Sequence, residues 1–159
     1  MHSARWLLRA VPTVPSSCKP PSRDCIGPIY GKLVASPDYI KAHGAPEKPA
    51  DILNHQALMQ GTESWRFMDG GKTITVNPQG RFKADNATAL VAAAVEGIGL
   101  AYVPEGVMQE HLDSGALVPV MTQYKLPVAA AYVVRPPGRR PTPKVRVLIE
   151  TLIDCFEKS

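Results

Sequence analysis

The sequence predicts an α/β fold with mixed sheets, and three observations support that class. Short apolar segments of strand length alternate with segments of helical pattern from residue 33 onward, as in domains whose sheets are covered by helices. Asn86 and Gly97 are typical residues at the two ends of a helix. Asp69-Gly70-Gly71, between two alternating segments, indicates a β-hairpin. The 159 residues are enough for one domain with a substantial core.

The first half of the chain is expected to contain short strands and one short helix. The helix begins after Ser36, with proline in its first turn, and ends at Gly44. Strands are expected at five apolar or alternating segments: Leu33–Ala35, Ala57–Met59, Trp65–Phe67, Thr73–Val76 and Arg81–Ala84.

The most informative stretch is a helix followed by a strand. Asn86 is a strong N-cap for a helix over Ala87–Glu96, which is apolar almost all round and must be covered on most sides. Ile98–Val103 is a continuous apolar run, which is typical of a strand in a parallel sheet that is buried on both faces.

The last third of the chain is expected to contain two more helices and two more strands. A helix begins at Pro104 and ends before Gly115. Strands follow at Leu117–Val120 and Val128–Val134, and Thr142-Pro143 opens a final helix with its apolar residues on one face.

Residues 1–27 are predicted to be a tail without regular structure, because they contain four prolines and no apolar periodicity. The formal net charge of the chain is +4, and residues 1–31, with four basic residues and one acidic residue, carry most of it. Composition therefore gives no support to a DNA-binding surface on the rest of the chain. Three widely spaced cysteines predict reduced thiols in the cytoplasm. No apolar run is long enough for a membrane span.

No catalytic residue, metal site or cofactor is predicted. Gly97-x-Gly99 follows a helix and precedes a strand, which is the reverse of the dinucleotide-binding context and is typical of a helix end. The four histidines (His2, His43, His55 and His111) lack the spacing of a helical zinc pair. The acidic residues form no evident acid–base pair.

Two segments are candidates for ligand binding. The N-terminus of helix 87–96, with Asn86 and Thr88, offers N–H groups and the positive end of a helix dipole to an anion; the alternative is that Asn86 only caps the helix. The loop Gln60-Gly61-Thr62 follows a strand, where ligands bind in α/β sheets; the alternative is an ordinary turn. Pro104 lies at the same kind of edge but is more typical of a helix start.

Six motifs follow one another between about residue 28 and the end of the chain. They are Leu33-Val34-Ala35-Ser36-Pro37-Asp38-Tyr39-Ile40, Trp65-x-Phe67, Gly80-Arg81-Phe82 with Asn86-x-x-Ala89-Leu90, the run from Ala92 to Pro104, the segment from Leu112 to Val120, and the helix entry Pro143-Lys144-Val145-Arg146. In this order they resemble the C-terminal effector-binding domain of LysR-type transcriptional regulators.

The resemblance implies a fold like that of type 2 periplasmic binding proteins, in which two α/β subdomains flank a cleft for a small effector. It implies that 57–121 form the second subdomain and that 28–56 with 122–159 belong to the first. The effector-binding residues carry over to Gln60, Gly61, Thr62, Asn86, Thr88 and Pro104. Members pair through their effector domains, which would explain the apolar surface of helix 87–96.

The chain also departs from the family pattern. Residues 1–27 match no part of it, and neither the winged helix-turn-helix nor the opening units of the first subdomain are found, so the first subdomain is expected to be incomplete. The expected function is a cytoplasmic sensor domain that binds a small effector, a carboxylate being the candidate, forms a homo-oligomer and contacts DNA only through the missing N-terminal domain. The alternatives are a solute-binding protein of the same fold and a fragment without independent activity.

Overall fold

The computed structural model describes residues 7–11, 25–61, 64–134 and 142–157. The chain divides into two compact units: a continuous unit, Tyr30–Pro127, and a split unit formed by residues 1–29 and 128–159. Within the described residues there are nine strands, four α-helices and one 3₁₀ helix. In chain order they are β1 (Leu7–Val11), β2 (Cys25–Ile29), β3 (Gly31–Ala35), α1 (Pro37–His43), the 3₁₀ helix (Pro49–Asn54), β4 (Ala57–Leu58), β5 (Trp65–Asp69), β6 (Lys72–Val76), α2 (Ala87–Val95), β7 (Leu100–Pro104), α3 (Glu105–Asp113), β8 (Val118–Pro119), β9 (Ala129–Val134) and α4 (Pro143–Glu157).

The continuous unit is built on a four-stranded mixed sheet in the order β4-β7-β3-β8. Strands β4 and β7 are parallel, whereas β3 runs antiparallel to both β7 and β8. The apolar run at 98–103 was expected in a parallel sheet, and only one of its two pairings is parallel. The strand also begins later than expected, because Ile98 closes the preceding helix and Gly99 packs against the backbone of Gln56.

The two faces of this sheet are covered by different elements. On the helix face, α2 and α3 pack over Val34, Leu58, Ala101 and Val103. On the opposite face, which we call the hairpin face, β5 and β6 pack with α1 and the 3₁₀ helix over the remaining strand residues: Leu33, Ala35, Ala57, Met59 and Leu100. Because successive residues of a strand point to opposite faces, one short sheet supports two separate cores.

The predicted hairpin is present as β5 and β6, paired from Trp65↔Val76 to Asp69↔Lys72. Gly70 and Gly71 both have positive φ, at 52° and 90°. A two-residue turn with positive φ at both positions matches the right-handed twist of the strands, and glycine adopts it without steric cost.

Helix α2 has the ends that the sequence predicts. The Asn86 side chain caps its N-terminus. At its C-terminus Gly97 has φ 73° and donates to the Ala94 carbonyl, while Ile98 donates to the Ala93 carbonyl, which is a Schellman motif. The sheet and α3 bury Leu90, Val91, Ala93 and Ala94, so packing within the chain covers much of the apolar surface of α2.

The segment Arg81–Ala84 does not form the predicted strand. It makes an isolated parallel bridge between Lys83 and Met59, with hydrogen bonds from Met59 N–H to the Phe82 carbonyl and from Ala84 N–H to the Met59 carbonyl. Gly80, just before it, lies so close to the Ala57 carbonyl that there is no room for a Cβ. The chain turns into α2 after this one bridge.

The split unit contains a three-stranded antiparallel sheet in the order β1-β9-β2. Helix α4 packs against β2, where Gly27 leaves room for the ring of Phe156. The prediction of no regular structure over residues 1–27 is therefore wrong for Leu7–Val11 and for the start of β2. Both strands form backbone pairs with β9, which lies at least 100 residues further along the chain, and local periodicity cannot show such a distant partner.

The boundaries of the two units differ from those expected for the subdomains. The expectation placed 57–121 in one subdomain and 28–56 in the other, whereas β3, α1 and the 3₁₀ helix lie in the same unit as β4 and β7. The reason is that β3 hydrogen-bonds to β7 over four residue pairs and to β8 over two. The chain passes between units at 29–30 and again at 127–128.

Candidate functional site

Three chain segments of the continuous unit end at the same edge of its sheet. Strands β4 and β7 are parallel, with Ala57 opposite Leu100 and Leu58 opposite Ala101, and Lys83 bridges to Met59 in the same direction. Their carboxyl ends therefore share one edge, and five of the six predicted effector-binding residues lie at the ends of these strands, in the loops that follow or in the first turn of α2. The sixth, Thr62, lies outside the described residues.

Gln60 and the entry to α2 are in direct contact at this edge. The Gln60 side-chain amide donates a hydrogen bond of 3.3 Å from Nε2 to the backbone carbonyl of Asp85. The neighbouring pairing between Met59 and the 82–84 segment fixes the distance between the two loops. The sequence indicates Gln60 and Asn86 as two separate candidates. The structure brings them together through the backbone of Asp85, which is not among the predicted site residues.

Asn86 acts as the N-cap of α2. Its Oδ1 accepts a 2.8 Å hydrogen bond from the Thr88 N–H, and its backbone is extended, at φ −116° and ψ 121°. Asn86 therefore does cap the helix, and its part in ligand binding stays a prediction. Asn86 and Thr88 are both exposed, so the amide nitrogen of Asn86 and the Thr88 hydroxyl lie beside the positive end of the helix dipole.

Gly61 and Pro104 occupy different places on the edge. Gly61 is exposed, with φ 73°, and a Cβ there would meet nothing within 4 Å, so backbone conformation and not crowding favours glycine. Pro104 is half-buried, pairs with Gly31 and precedes α3. It has the role of a helix start, and its ring forms part of the edge.

An ion pair that sequence reasoning missed lies beside Pro104. Lys32 Nζ contacts Glu105 Oε1, and the Glu105 N–H donates to the Tyr30 carbonyl at 2.8 Å. The two charges are 73 positions apart in sequence, so no local pattern could have paired them. Glu105 thus places a negative charge beside Lys32, and Lys83 and Asp85, both exposed, also carry charges at this edge.

The described part of the chain holds no group of three or more His, Cys, Asp or Glu side chains suited to a metal ion. None of the helices in residues 7–11, 25–61, 64–134 and 142–157 combines the length and apolar character of a membrane span. The edge offers amide, hydroxyl and backbone donors, which suit hydrogen bonding to a small polar molecule.

A match to a known protein family identifies the domain that contains this edge. Residues 31–156 match the LysR substrate binding domain. The chain belongs to the LysR substrate-binding domain family. The expected identification as the effector-binding domain of a LysR-type regulator is confirmed.

Individual relatives of this LysR-family chain are transcriptional regulators by name. A putative transcriptional regulator of Pseudomonas aeruginosa is 28% identical over 131 residues, covering 79% of this chain and 43% of the relative. The transcriptional activator AaeR of Escherichia coli is 29% identical over 135 residues, covering 82% and 44%. The chain thus spans less than half the length of these two relatives.

A solved structure supports the fold. The full-length Vibrio cholerae virulence activator AphB, a member of the LTTR family, superposes with a TM-score of 0.73 at 27% identity, covering 94% of this chain and 51% of AphB. The expected α/β fold of the periplasmic-binding-protein type is confirmed. The roles of Gln60, Gly61, Thr62, Asn86, Thr88 and Pro104 stay predictions.

Proposed function

We propose that this chain binds a small-molecule effector at the carboxyl edge of the β4–β7 sheet and reports its presence to the rest of a cytoplasmic regulator. One observation carries the proposal. Gln60 and Asn86, on separate loops, converge on one solvent-facing edge through the contact between Gln60 and Asp85. Gly61 and Thr88 extend the proposed contact surface, and Pro104 limits it on the β7 side. Thr62, which lies outside the described residues, stays among the predicted contacts.

The chemistry of this edge favours a carboxylate. The first turn of α2 carries backbone N–H groups and a positive dipole end, and the side chains of Asn86, Thr88 and Gln60 add donors. The carboxylate of Asp85 lies one residue before the N-cap of α2 and repels the negative charge of a bound carboxylate. We therefore expect modest affinity, of the order of a micromolar to millimolar dissociation constant.

The proposed mechanism is a population shift and not catalysis. An effector that binds one arrangement of the domain more tightly increases the population of that arrangement. Pairing of effector domains in a homo-oligomer would pass the change on, and DNA contact would be made by a winged helix-turn-helix outside this chain. The effector domain that we assign to this function covers residues 28–159.

The test is ligand-induced stabilisation of the 159-residue chain. Melting curves are followed by circular dichroism with a panel of aromatic and aliphatic carboxylates and their matching amides. A ligand that binds only the folded state raises Tm, and the increase grows with ligand concentration. We expect the carboxylates to raise Tm and the amides to do so less. The absence of a cooperative transition would favour a fragment without independent activity.

Three variants test whether the carboxylate binds at the N-terminus of α2. Asn86→Asp keeps an N-cap of equal quality but adds a negative charge, so it should keep the stability and lose the carboxylate response. Asn86→Ala should lower the free energy of unfolding by about 1 kcal/mol and should also weaken the increase in Tm with carboxylates. Thr88→Ala should weaken the response alone. If Asn86→Asp responds as the unmodified chain does, the carboxylate does not bind at this helix end.

A further inference from the structure

Helix α4 has apolar side chains beyond the side that its own sheet covers. On the covered side, Phe156 contacts β2 at Gly27, and Ile149 is buried. Val147 and Leu148, in contrast, are 60% and 54% exposed. Burying two neighbouring apolar side chains of this size would be favourable, so this part of α4 is suited to contact with another protein surface.

Val147 and Leu148 belong to a continuous side of the helix. At 3.6 residues per turn, five residues of α4 fall within about 120° of the helix circumference. They are Lys144, Val147, Leu148, Thr151 and Asp154, and all five are exposed. We call these five residues the outer face of α4.

The hydroxyl group near the middle of the outer face has its acceptor within the helix. Thr151 Oγ1 donates a 2.8 Å hydrogen bond to the Val147 carbonyl, one turn earlier. The hydroxyl hydrogen therefore needs no partner outside α4. Because its donor stays satisfied, Thr151 can be covered together with Val147 and Leu148 without the cost of an unpaired donor.

The outer face is complementary to itself. Lys144 and Asp154 lie five positions before and after Ile149, and Val147 and Thr151 lie two positions before and after it. Two copies of α4 in antiparallel orientation, related by a two-fold axis at the level of Ile149, would place Lys144 of each copy opposite Asp154 of the other. Val147 of each copy would lie opposite Thr151 of the other, and the two Leu148 side chains would be neighbours.

The two charges of the outer face oppose the dipole of their own helix. Anions are stabilised near the N-terminus of a helix and cations near its C-terminus, whereas α4 has Lys144 in its first turn and Asp154 in its last. An antiparallel neighbour reverses this, because its negative end lies beside Lys144 and its positive end beside Asp154. The placement of the charges therefore favours an antiparallel helix as the neighbour of this face.

We propose that the outer face of α4 is a homodimer surface, on which α4 of a second copy of this chain docks in antiparallel orientation. The proposal deepens the homo-oligomer part of the proposed function and rests on it, but it requires no bound effector. Two symmetry-related ion pairs between Lys144 and Asp154 flank an apolar centre. One helix face from each copy is a small contact, so we expect a dissociation constant on the order of tens of micromolar.

The test is sedimentation velocity of the 159-residue chain at concentrations above and below that value, without added carboxylate. The buffer contains a reductant because Cys155, near the end of α4, is exposed. We expect an equilibrium between monomer and dimer. Leu148→Asp should abolish the dimer, because it puts two negative charges into the apolar centre.

Charge reversal tests the antiparallel orientation. Lys144→Glu and Asp154→Lys each turn both ion pairs into contacts of like charge, so each should raise the dissociation constant by about 10-fold. An equimolar mixture of these two variants should recover dimers, because opposite charges again face each other in the mixed dimer. Melting curves check that each variant is folded as the unmodified chain is.

Arg146→Glu is the matched control. Arg146 is exposed in the same helical turn as Lys144 but lies about 200° away around the helix, so its reversal should leave the dissociation constant unchanged. The proposal is wrong if the chain is monomeric at every concentration, if the Lys144 and Arg146 variants weaken the dimer equally, or if the mixture recovers no dimer. A dimer that withstands all these variants would place the interface elsewhere, and carboxylate binding is tested separately by the change in Tm.

Discussion

The two faces of the β4-β7-β3-β8 sheet are stabilised by different kinds of contact. The buried cluster of the helix face is aliphatic apart from Met108 and contains no ring and no ionisable group, and Phe82 packs against it from a partly buried position. The hairpin face contains Tyr39, Trp65 and Phe67 in its buried cluster, with Tyr102 and Tyr124 against it. Trp65 meets Tyr102 edge to face at 6.2 Å, and Phe67 meets Tyr124 at 6.4 Å.

Because their contacts differ in kind, we expect the two faces to respond differently to pH. An aliphatic core depends on shape and on the area removed from water, neither of which changes with pH. Aromatic rings with polar tips also need hydrogen-bond partners, and Tyr39 finds its partners in His55 and Gln56. The proposed effector edge lies where both faces end, since Gln60 leads towards the hairpin and Asn86 leads into α2.

The largest effect is expected where the chain crosses from the hairpin face to the helix face. Gly80→Ala would force a Cβ against the backbone carbonyl of Ala57, which cannot move without displacing β4. We expect a loss of at least about 4 kcal/mol in the free energy of unfolding, or no folded protein.

Urea denaturation followed by circular dichroism measures this loss, with Gly106→Ala as the control. Gly106 lies in α3 with nothing within 4 Å of a Cβ, so alanine there should stabilise by about 0.5–1 kcal/mol through helix propensity. If the two substitutions have similar effects, the close approach of Gly80 to β4 is not present in solution.

The second prediction compares the faces directly. Leu90 on the helix face and Ile52 on the hairpin face are both fully buried, and truncation of either to alanine should cost about 2–5 kcal/mol. The loss for Leu90→Ala should be the same at pH 7.5 and pH 5.5. Ile52→Ala should make the loss depend on pH, because the 3₁₀ helix that Ile52 anchors ends at His55, whose pKa is lowered by burial. Equal pH profiles for the two variants would remove the distinction between the faces.

The smallest effect is expected at the edge that the two faces share. Asp85→Asn removes a negative charge next to the cap of α2, so carboxylates should bind about 2- to 5-fold more tightly, the equivalent of roughly 0.5–1 kcal/mol. Isothermal titration calorimetry with the best carboxylate from the panel measures the change. Unchanged affinity would place the carboxylate away from Asp85.

Sequence patterns predicted the elements whose causes are local. The cap at Asn86, the Schellman end at Gly97 and the hairpin glycines each need only a few neighbouring residues, and each is present. Two proposed site segments could be selected in the same way, because strand ends and helix starts are local features. Their contact through Asp85 required knowledge of the parallel pairing of Met59 with Lys83.

The features that sequence patterns missed depend on distant pairs. β1 is a strand because β9 pairs with it, and β3 belongs to the continuous unit because of β7 and β8. Tyr39 and His55 are 16 positions apart with a turn between them, and Lys32 and Glu105 are 73 apart. Periodicity and capping rules carry no information about such partners.

The central position of β9 in its sheet also has a kinetic consequence. The partners of β9 lie at Leu7–Val11 and Cys25–Ile29, whereas every strand of the four-stranded sheet lies within Tyr30–Pro127. Contacts between distant residues form slowly because closing long loops costs entropy. We expect residues 30–127 to gain exchange protection first in a pulse-labelled refolding experiment, and β1 and β2 only after β9 is in place. Simultaneous protection of both sheets would show that the split unit folds at the same time as the continuous unit, which would contradict this order.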